Sequence, residues 1–131
     1  MASKKKILLI EDEPNIIDIY ETVLKKAGFC TRVIKYGYQA KEELEKIKNN
    51  KEKRPDLVLL DLVLPDINGM EILKLARGEK GISDIPFFIL TNYTDPEIEK
   101  VGRKLKVEKY LLKTDLIPSQ LIKIINDWFK K

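Results

Sequence analysis

The chain has 131 residues, of which 44% are hydrophobic, and this is typical of one globular domain that buries its own core. Its 25 basic and 21 acidic residues give a net charge of only +4, too modest and too scattered to indicate direct nucleic-acid binding. The single cysteine excludes an internal disulfide, and the lack of histidine excludes histidine-based acid–base chemistry and a phosphohistidine on this chain.

The first half of the chain predicts two strands and two helices in alternation. A continuous apolar run at residues 7–10 is typical of a buried strand. The next segment, 14–27, carries apolar residues at helical spacing, with Pro14 suited to the first turn and Gly28 to the end of the helix. A weaker strand at 32–36 and a helix at 38–48 follow.

The second half of the chain continues this alternation. Asp66 or Asn68 is suited to open the helix that follows the apolar run at 57–60, and Asp95 with Pro96 is suited to open the helix after that. The predicted strands are 57–60, 85–90 and 107–112, and the predicted helices are 69–77, 95–105 and 118–129.

Five predicted strands alternating with five predicted helices indicate a single doubly wound α/β domain with a five-stranded parallel sheet. The central runs are apolar throughout, as expected when helices cover both faces of the sheet. We expect the flavodoxin-like strand order 2-1-3-4-5, in which ligands bind beyond the carboxyl ends of the strands, near strands 1 and 3.

Polar side chains follow four of the five predicted strands. Because the carboxyl ends of parallel strands meet at one edge of a sheet, we expect these side chains to lie close together. They are Glu11, Asp12 and Glu13 after strand 1, Asp61 after strand 3, Thr91 after strand 4 and Lys113 after strand 5.

The residue types at this edge favour phosphoryl chemistry. Clustered carboxylates repel each other unless a cation binds, and oxygen ligands without histidine or thiolate favour Mg²⁺ or a similar ion. Lys113 and Thr91 would supply a positive charge and a hydroxyl group to phosphoryl oxygens. Asp61 is placed to accept the phosphoryl group as an aspartyl phosphate.

Each of these residues also has a purely structural explanation. Asp12 and Glu13 could stabilise the positive end of the following helix, and Asp61 could cap a helix. Thr91 is a common residue type in strands, and Lys113 could be a solvated lysine. The hypothesis of a phosphoryl site depends on the four strand ends taken together.

The sequence resembles the receiver domains of response regulators in two-component signalling, over about residues 6–129. The segments that carry the resemblance are ILLIEDEP, DLVLLDLVLPDINGMEIL, IPFFILTN and YLLKT, in this order. The most specific feature is the D-x-x-x-P-x-x-x-G spacing of Asp61, Pro65 and Gly69.

The resemblance implies a chemical role for each matching residue at the strand ends. Asp61 would be the phosphoacceptor. Glu11 and Asp12 would hold Mg²⁺, directly or through water, together with Asp61 and the backbone carbonyl of Val63. Lys113 would pair with Asp61 and then with the phosphoryl group.

The resemblance also implies a conformational switch. Thr91 would bind a phosphoryl oxygen and shift towards it. Tyr110 would turn inward as Thr91 moves, and this would change the face formed by helix 4, strand 5 and helix 5. New charge at the phosphoacceptor would thus bias a packing element with two states.

Three positions near the expected site influence how it would react. Asn92 stands where a small residue is usual in the family. Val63 and Tyr93 should border the path of the water that hydrolyses the aspartyl phosphate. We therefore predict slow self-dephosphorylation, in which the lifetime of the aspartyl phosphate is longer than seconds.

The resemblance implies a signalling domain that catalyses only its own phosphorylation and dephosphorylation. The phosphoryl donor would be a histidine kinase, a histidine phosphotransfer protein or a small acyl phosphate, and the effector would be another protein. We expect no direct nucleic-acid or membrane binding, a monomer or weak homodimer, and a cytoplasmic location. Residues 1–131 would form one receiver domain without an output domain, either alone or as part of a longer DNA-binding or enzymatic response regulator.

The predicted first helix is a candidate docking site for the kinase. It carries more apolar residues than one core stripe requires, namely Ile16, Ile17, Ile19 and Tyr20. Either one or two of them stay exposed for a partner helix, or all four form a broad buried stripe.

Two other classes of protein match the sequence less well. An aspartyl-nucleophile phosphatase needs D-x-D after strand 1, where this chain has Asp12-Glu13-Pro14. A flavin-binding domain of the same topology needs a loop rich in Ser, Thr and Gly there, and the acidic loop of this chain would repel a phosphate in the absence of a metal.

Overall fold

The computed structural model describes residues 4–92 and 95–130, and within them five strands alternate with five α-helices. No helix of this described part is both long and apolar enough to cross a membrane. In chain order the elements are β1 (Lys6–Ile10), α1 (Pro14–Lys26), β2 (Cys30–Ile34), α2 (Gly37–Lys48), β3 (Leu57–Asp61), α3 (Gly69–Gly78), β4 (Phe87–Thr91), α4 (Pro96–Lys104), β5 (Lys109–Leu112) and α5 (Pro118–Phe129), with a short 3₁₀ turn at Lys113–Asp115.

The five strands form one parallel sheet in the order β2-β1-β3-β4-β5, so the predicted flavodoxin-like topology is confirmed. The register of the strand pairs aligns the carboxyl ends of the inner strands. Ile10 lies opposite Leu60, and Asp61 lies opposite Leu90. Each of the polar strand ends therefore reaches the same edge of the sheet.

The helices cover both faces of the sheet and bury two apolar layers. One layer joins the sheet to α1 and α5 and includes Leu24 and Ile125. The other joins the sheet to α2 and α3, with α4 packed at its side, and includes Leu44 and Leu73. The residues of β3 and β4 are buried throughout, which explains why their apolar runs are continuous.

The starts and ends of the helices follow the local sequence. Pro14 opens α1, and Gly28 follows its end with a φ of +95°, a left-handed conformation that glycine adopts at little cost. Asn68 caps α3 by accepting a hydrogen bond from the N–H of Met70, and Asp95 caps α4 in the same way. Of the two predicted openers of α3, Asn68 is therefore the cap.

Three strands differ from the prediction by two residues at one or both ends. Strand β2 lies two residues earlier than expected, while β4 and β5 each begin two residues later. The strand β2 is an edge strand with exposed residues, and only its last residue is buried. Its ends are set by pairing with β1 rather than by an apolar run, so the sequence pattern locates them poorly.

Candidate functional site

Three carboxylates meet at the carboxyl edge of the sheet, as the sequence predicts. One ligand oxygen from each of Glu11, Asp12 and Asp61 lies within 4.8 Å of the other two. Asp61 is the last residue of β3, and the N–H of Glu11 donates to the carbonyl of Ile34 at 3.0 Å. The two residues are therefore fixed by the sheet and not by a free loop.

Lys113 places a buried ammonium group among these carboxylates. Its Nζ lies 2.5 Å from Oε1 of Glu11 and 3.4 Å from Oδ2 of Asp61. The side chains of Lys113 and Glu11 are 4% and 1% exposed. The resemblance predicts the pairing with Asp61, but the shorter contact with Glu11 is an additional feature.

Both pKa values of this ion pair are raised, for different reasons. Burial raises the pKa of the Glu11 carboxyl, and the hydrogen bond from Lys113 offsets only part of the shift. Burial acts to lower the pKa of Lys113, but the hydrogen bond to Glu11 and the charges of both carboxylates outweigh it and raise the pKa. Lys113 is therefore held as a cation at neutral pH.

The carboxylate oxygens of Glu11, Asp12 and Asp61 differ in how many close hydrogen-bond donors they already have. Oε2 of Glu11 accepts the N–H of Glu13 at 3.2 Å, so both oxygens of Glu11 have donors. Oδ1 of Asp61 accepts the N–H of Val63 at 3.3 Å, which is a long and therefore weak hydrogen bond. Asp12 is half-buried at the side of the cluster. Asp12 and Asp61 are thus the side chains best placed to contact a cation directly.

A cavity of about 420 Å³ opens over the cluster. Its oxygen donors and its excess of carboxylates over ammonium groups fit a hard divalent cation such as Mg²⁺. The lining residues that carry polar groups or border Asp61 are Glu11, Asp12, Glu13, Asp61, Val63, Asn92 and Lys113.

Thr91 and Tyr110 lie on the same face of the sheet. Thr91 ends β4 and is 2% exposed, and it shares its face with Ile89, two residues before it. Tyr110 of β5 lies opposite Ile89, is half-buried and packs against the same apolar layer. A Cβ atom at Gly102 of α4 would lie 3.9 Å from the ring of Tyr110. Both predicted switch residues therefore face the α4 side.

The residues expected to border the path of the attacking water are only partly described. The side chain of Val63 is 55% exposed and lines the cavity, and Asn92 lines it as well. Tyr93 lies outside the described residues. Slow self-dephosphorylation stays a prediction.

The apolar face of α1 divides into buried and exposed residues. Ile17 and Tyr20 are buried, Ile16 is half-buried, and Ile19 is 45% exposed. One of the four apolar residues considered for partner docking is therefore largely accessible.

Sequence reasoning missed the position of Asp66. Its two carboxylate oxygens accept the backbone N–H groups of Gly37 and Tyr38, at 2.8 Å and 2.9 Å, at the start of α2. The residue before α2 is Tyr36, whose side chain makes no capping hydrogen bond. The absence of a capping residue at the start of this predicted helix was the signal that a distant side chain accepts hydrogen bonds from its first N–H groups.

Comparisons with known proteins agree with this geometry. A family model described as the response regulator receiver domain matches residues 7–126. The DNA-binding response regulator MtrA of Mycolicibacterium smegmatis is 34% identical over 110 residues, which cover 84% of this chain and 44% of MtrA. This chain thus spans less than half the length of that curated relative.

Two solved structures are similar along most of the chain. The phosphorylated cyanobacterial phytochrome response regulator RcpA superposes with a TM-score of 0.80 at 28% identity, covering 93% of this chain and 89% of RcpA. The Mn²⁺-bound form of response regulator Rcp1 also has a TM-score of 0.80, at 27% identity, covering 92% of this chain and 88% of Rcp1.

Proposed function

The chain belongs to the response regulator receiver domain family, a family of signalling domains, and on this premise we propose that Asp61 is its phosphoacceptor. The single observation that carries the proposal is the cluster at the sheet edge. It combines a carboxylate on the rigid end of β3, two further acids within 4.8 Å, and a buried ammonium group 3.4 Å from Asp61. This is the combination that transfer of a phosphoryl group to a carboxylate requires.

In the proposed transfer a carboxylate oxygen of Asp61 attacks the phosphorus atom of a phosphohistidine on another protein. A P–O bond to Asp61 forms as the P–N bond breaks, and the electron pair of that bond stays on the imidazole nitrogen. Residues 1–131 contain no histidine, so the phosphohistidine lies outside them, on a histidine kinase or a histidine phosphotransfer protein. The chain catalyses only this reaction and the later hydrolysis of its own aspartyl phosphate.

Lys113 and Thr91 serve the transfer as fixed donors to phosphoryl oxygens. The ammonium group of Lys113 lies beside Asp61 and keeps its proton, because its pKa is raised. The ammonium group can turn from the carboxylates to the new phosphoryl group while it stays buried. Thr91 ends the neighbouring strand and offers its hydroxyl group to another phosphoryl oxygen.

We assign Glu11, Asp12, Asp61 and the carbonyl of Val63 as the residues that hold Mg²⁺. The oxygen-only donor set and the excess of negative charge support the assignment, and the related Rcp1 has been solved in a Mn²⁺-bound form. Glu11 acts through water, because the donors to its two oxygens, at 2.5 Å and 3.2 Å, lie closer than those to Asp61, at 3.3 Å and 3.4 Å. When bound, Mg²⁺ neutralises charge on the phosphoryl oxygens.

Phosphorylation then changes the surface formed by α4, β5 and α5. Thr91 and Tyr110 face the same apolar layer, so movement of Thr91 opens space that the Tyr110 ring enters. A phosphoryl group adds about 1.5–2 negative charges at Asp61, which supplies the bias for this movement. The changed surface binds an effector protein.

Residues 1–131 form one receiver domain in this proposal, and the output activity lies elsewhere. The effector is either a separate protein or another part of a longer regulator. The DNA-binding relative MtrA, which is more than twice the length of the matched region, favours the second arrangement as an alternative. In either case the receiver acts through protein contacts.

Intact-mass measurement tests the phosphoacceptor. Wild-type protein and the Asp61→Asn variant are incubated with acetyl phosphate and Mg²⁺, with and without a chelator. We expect one phosphoryl adduct on the wild type, lost with chelator and absent from the variant. An adduct of equal yield on Asp61→Asn would show that another residue is modified.

A further inference from the structure

The loop at residues 62–68, which connects β3 to α3, is fixed at its tip by a contact that the proposed chemistry does not use. Asp66 accepts two backbone hydrogen bonds, from the N–H groups of Gly37 and Tyr38. Desolvation alone would raise the pKa of Asp66, but these hydrogen bonds lower it below its ordinary value. The carboxylate therefore stays charged while it caps the positive end of α2.

An apolar contact beside this carboxylate holds the same two segments together. A Cβ atom at Gly37 would overlap Cγ1 of Ile67, so any larger residue would push the loop away from α2. Gly37 is buried, and its φ lies outside the left-handed region. Glycine is therefore required here because Ile67 lies so close, and not because of the backbone conformation. Ile67 in turn packs against the apolar layer beneath it.

The base of the loop lies beside the phosphoacceptor. Val63 and Asn68 pair across the loop in an antiparallel bridge, and the N–H of Gly69 donates to the carbonyl of Leu62 at 2.8 Å. The N–H of Val63 reaches Oδ1 of Asp61. The loop is thus a closed hairpin with Asp61 at its base and α2 at its tip.

Val63 has little side-chain packing of its own to hold it in place. Its side chain is 55% exposed, so the position of its backbone depends on the rest of the hairpin. The N–H of Val63 contacts Asp61, and in the proposed function the carbonyl of Val63 contributes to the metal site. Anything that fixes the hairpin therefore fixes one of the proposed ligands.

We propose that Asp66 and Gly37 are positioning residues for the metal site. They hold the hairpin against α2, and through it they keep Val63 and Asp61 in the geometry that binds Mg²⁺. Neither residue contacts the cation. This inference rests on the proposed function of the Asp61 site, and it adds a dependence on α2 to that function.

Mg²⁺ titration by calorimetry tests Asp66. Loss of a group that orients metal ligands commonly weakens affinity by about tenfold or more, and we expect a change of this size for Asp66→Ala. Asp66→Asn keeps one acceptor oxygen and should lie between Asp66→Ala and the wild type. Asp84→Ala is the matched control, because Asp84 is also an exposed aspartate in a loop, where it pairs with Arg54. Its Mg²⁺ affinity should equal that of the wild type.

Gly37 provides a test from the opposite side of the contact. Gly37→Ala should weaken Mg²⁺ binding because the new methyl group displaces Ile67. The double variant Gly37→Ala/Ile67→Ala removes the overlapping atoms and should recover most of the affinity. Failure of the double variant to recover would count against positioning through this contact.

Thermal unfolding and amide exchange at Gly37 and Tyr38 separate positioning from general stability. Faster exchange with weaker Mg²⁺ binding in Asp66→Ala supports the inference. Lower thermal stability with unchanged Mg²⁺ affinity would overturn it, and Asp66 would then be only a helix cap. A wild-type protein that binds no Mg²⁺ would instead overturn the metal assignment on which the inference rests.

Discussion

The central strand β3 and the edge strand β5 both lead to a charged residue of the site, yet they are packed differently. All five residues of β3 are buried, whereas all four residues of β5 are half-buried. The helix α3 buries five residues, whereas α4 buries only Gly102. The difference indicates that the proposed phosphoacceptor lies on the rigid part of the molecule, while the surface proposed to change lies on the loosely packed part.

The largest effect should come from removing the ammonium group that joins these two regions. Lys113→Met keeps the volume of the side chain but leaves Glu11 and Asp61 without their cation. Breaking a buried ion pair in this way costs about 3 kcal/mol of unfolding free energy. Chemical denaturation of both proteins at neutral pH measures the cost.

The pH dependence of this variant gives its internal control. Without Lys113 the pKa of Glu11 rises further, so the folded state binds a proton more tightly than the unfolded state. Stability should therefore recover as the pH falls towards the ordinary value of 4.5. A deficit that stays constant with pH would contradict the electrostatic explanation. Lys109→Met removes a charge from the other end of β5 and should change stability by less than about 0.5 kcal/mol.

Two leucine truncations compare the strands directly. Leu59→Ala in β3 removes a fully buried side chain and should cost about 3 kcal/mol. Leu112→Ala in β5 removes a half-buried one and should cost about 1 kcal/mol. Equal costs in urea denaturation would show that β5 is packed as tightly as β3.

The metal site should respond to Asp12 more than to other acids near α1. Asp12→Asn removes the charge of a proposed ligand, and we expect a Mg²⁺ affinity about tenfold weaker, which corresponds to about 1.4 kcal/mol. Asp18→Asn removes an exposed carboxylate from α1 and serves as the control in the same calorimetric titration. A similar loss in both variants would point to general surface charge.

The smallest effect is expected at Gly102, the buried residue of α4. Alanine favours the helix by about 1 kcal/mol, and the contact at 3.3 Å with Val107 should cancel about half of this gain. Gly102→Ala should therefore stabilise the protein slightly in thermal unfolding. A clear loss of stability would mean that α4 is packed more tightly than its burial indicates.

The sequence predicted the topology because the chemistry of each inner element is local. The continuous apolar runs of β1, β3 and β4 and the caps at Asn68 and Asp95 lie within a few residues of the elements they define. The bounds of β2 and the starts of β4 and β5 were located less well, since strand boundaries depend on pairing with a neighbour. Strand β2 follows the register of β1, which no pattern within residues 30–36 reports.

The same distinction applies to the site. The proximity of its residues could be predicted because they occupy strand ends, and the order of the strands brings strand ends together. The preference of Lys113 for Glu11 depends on the packing of side chains 102 residues apart in the chain. The contact of Asp66 with Gly37 spans 29 residues and joins the loop after β3 to the start of α2. Neither contact has a sequence motif of its own.

Hydrogen exchange of the phosphorylated protein tests the comparison most directly. Protein carrying a phosphoryl adduct by intact mass is compared with unmodified protein, peptide by peptide. We expect exchange to change in α4 and β5, between residues 95 and 112, while β1 and β3 keep the same protection. Unchanged exchange in α4 and β5, or changes spread evenly over β1 and β3, would contradict the central claim. That claim is that phosphorylation at a rigid site changes the loosely packed surface of α4 and β5.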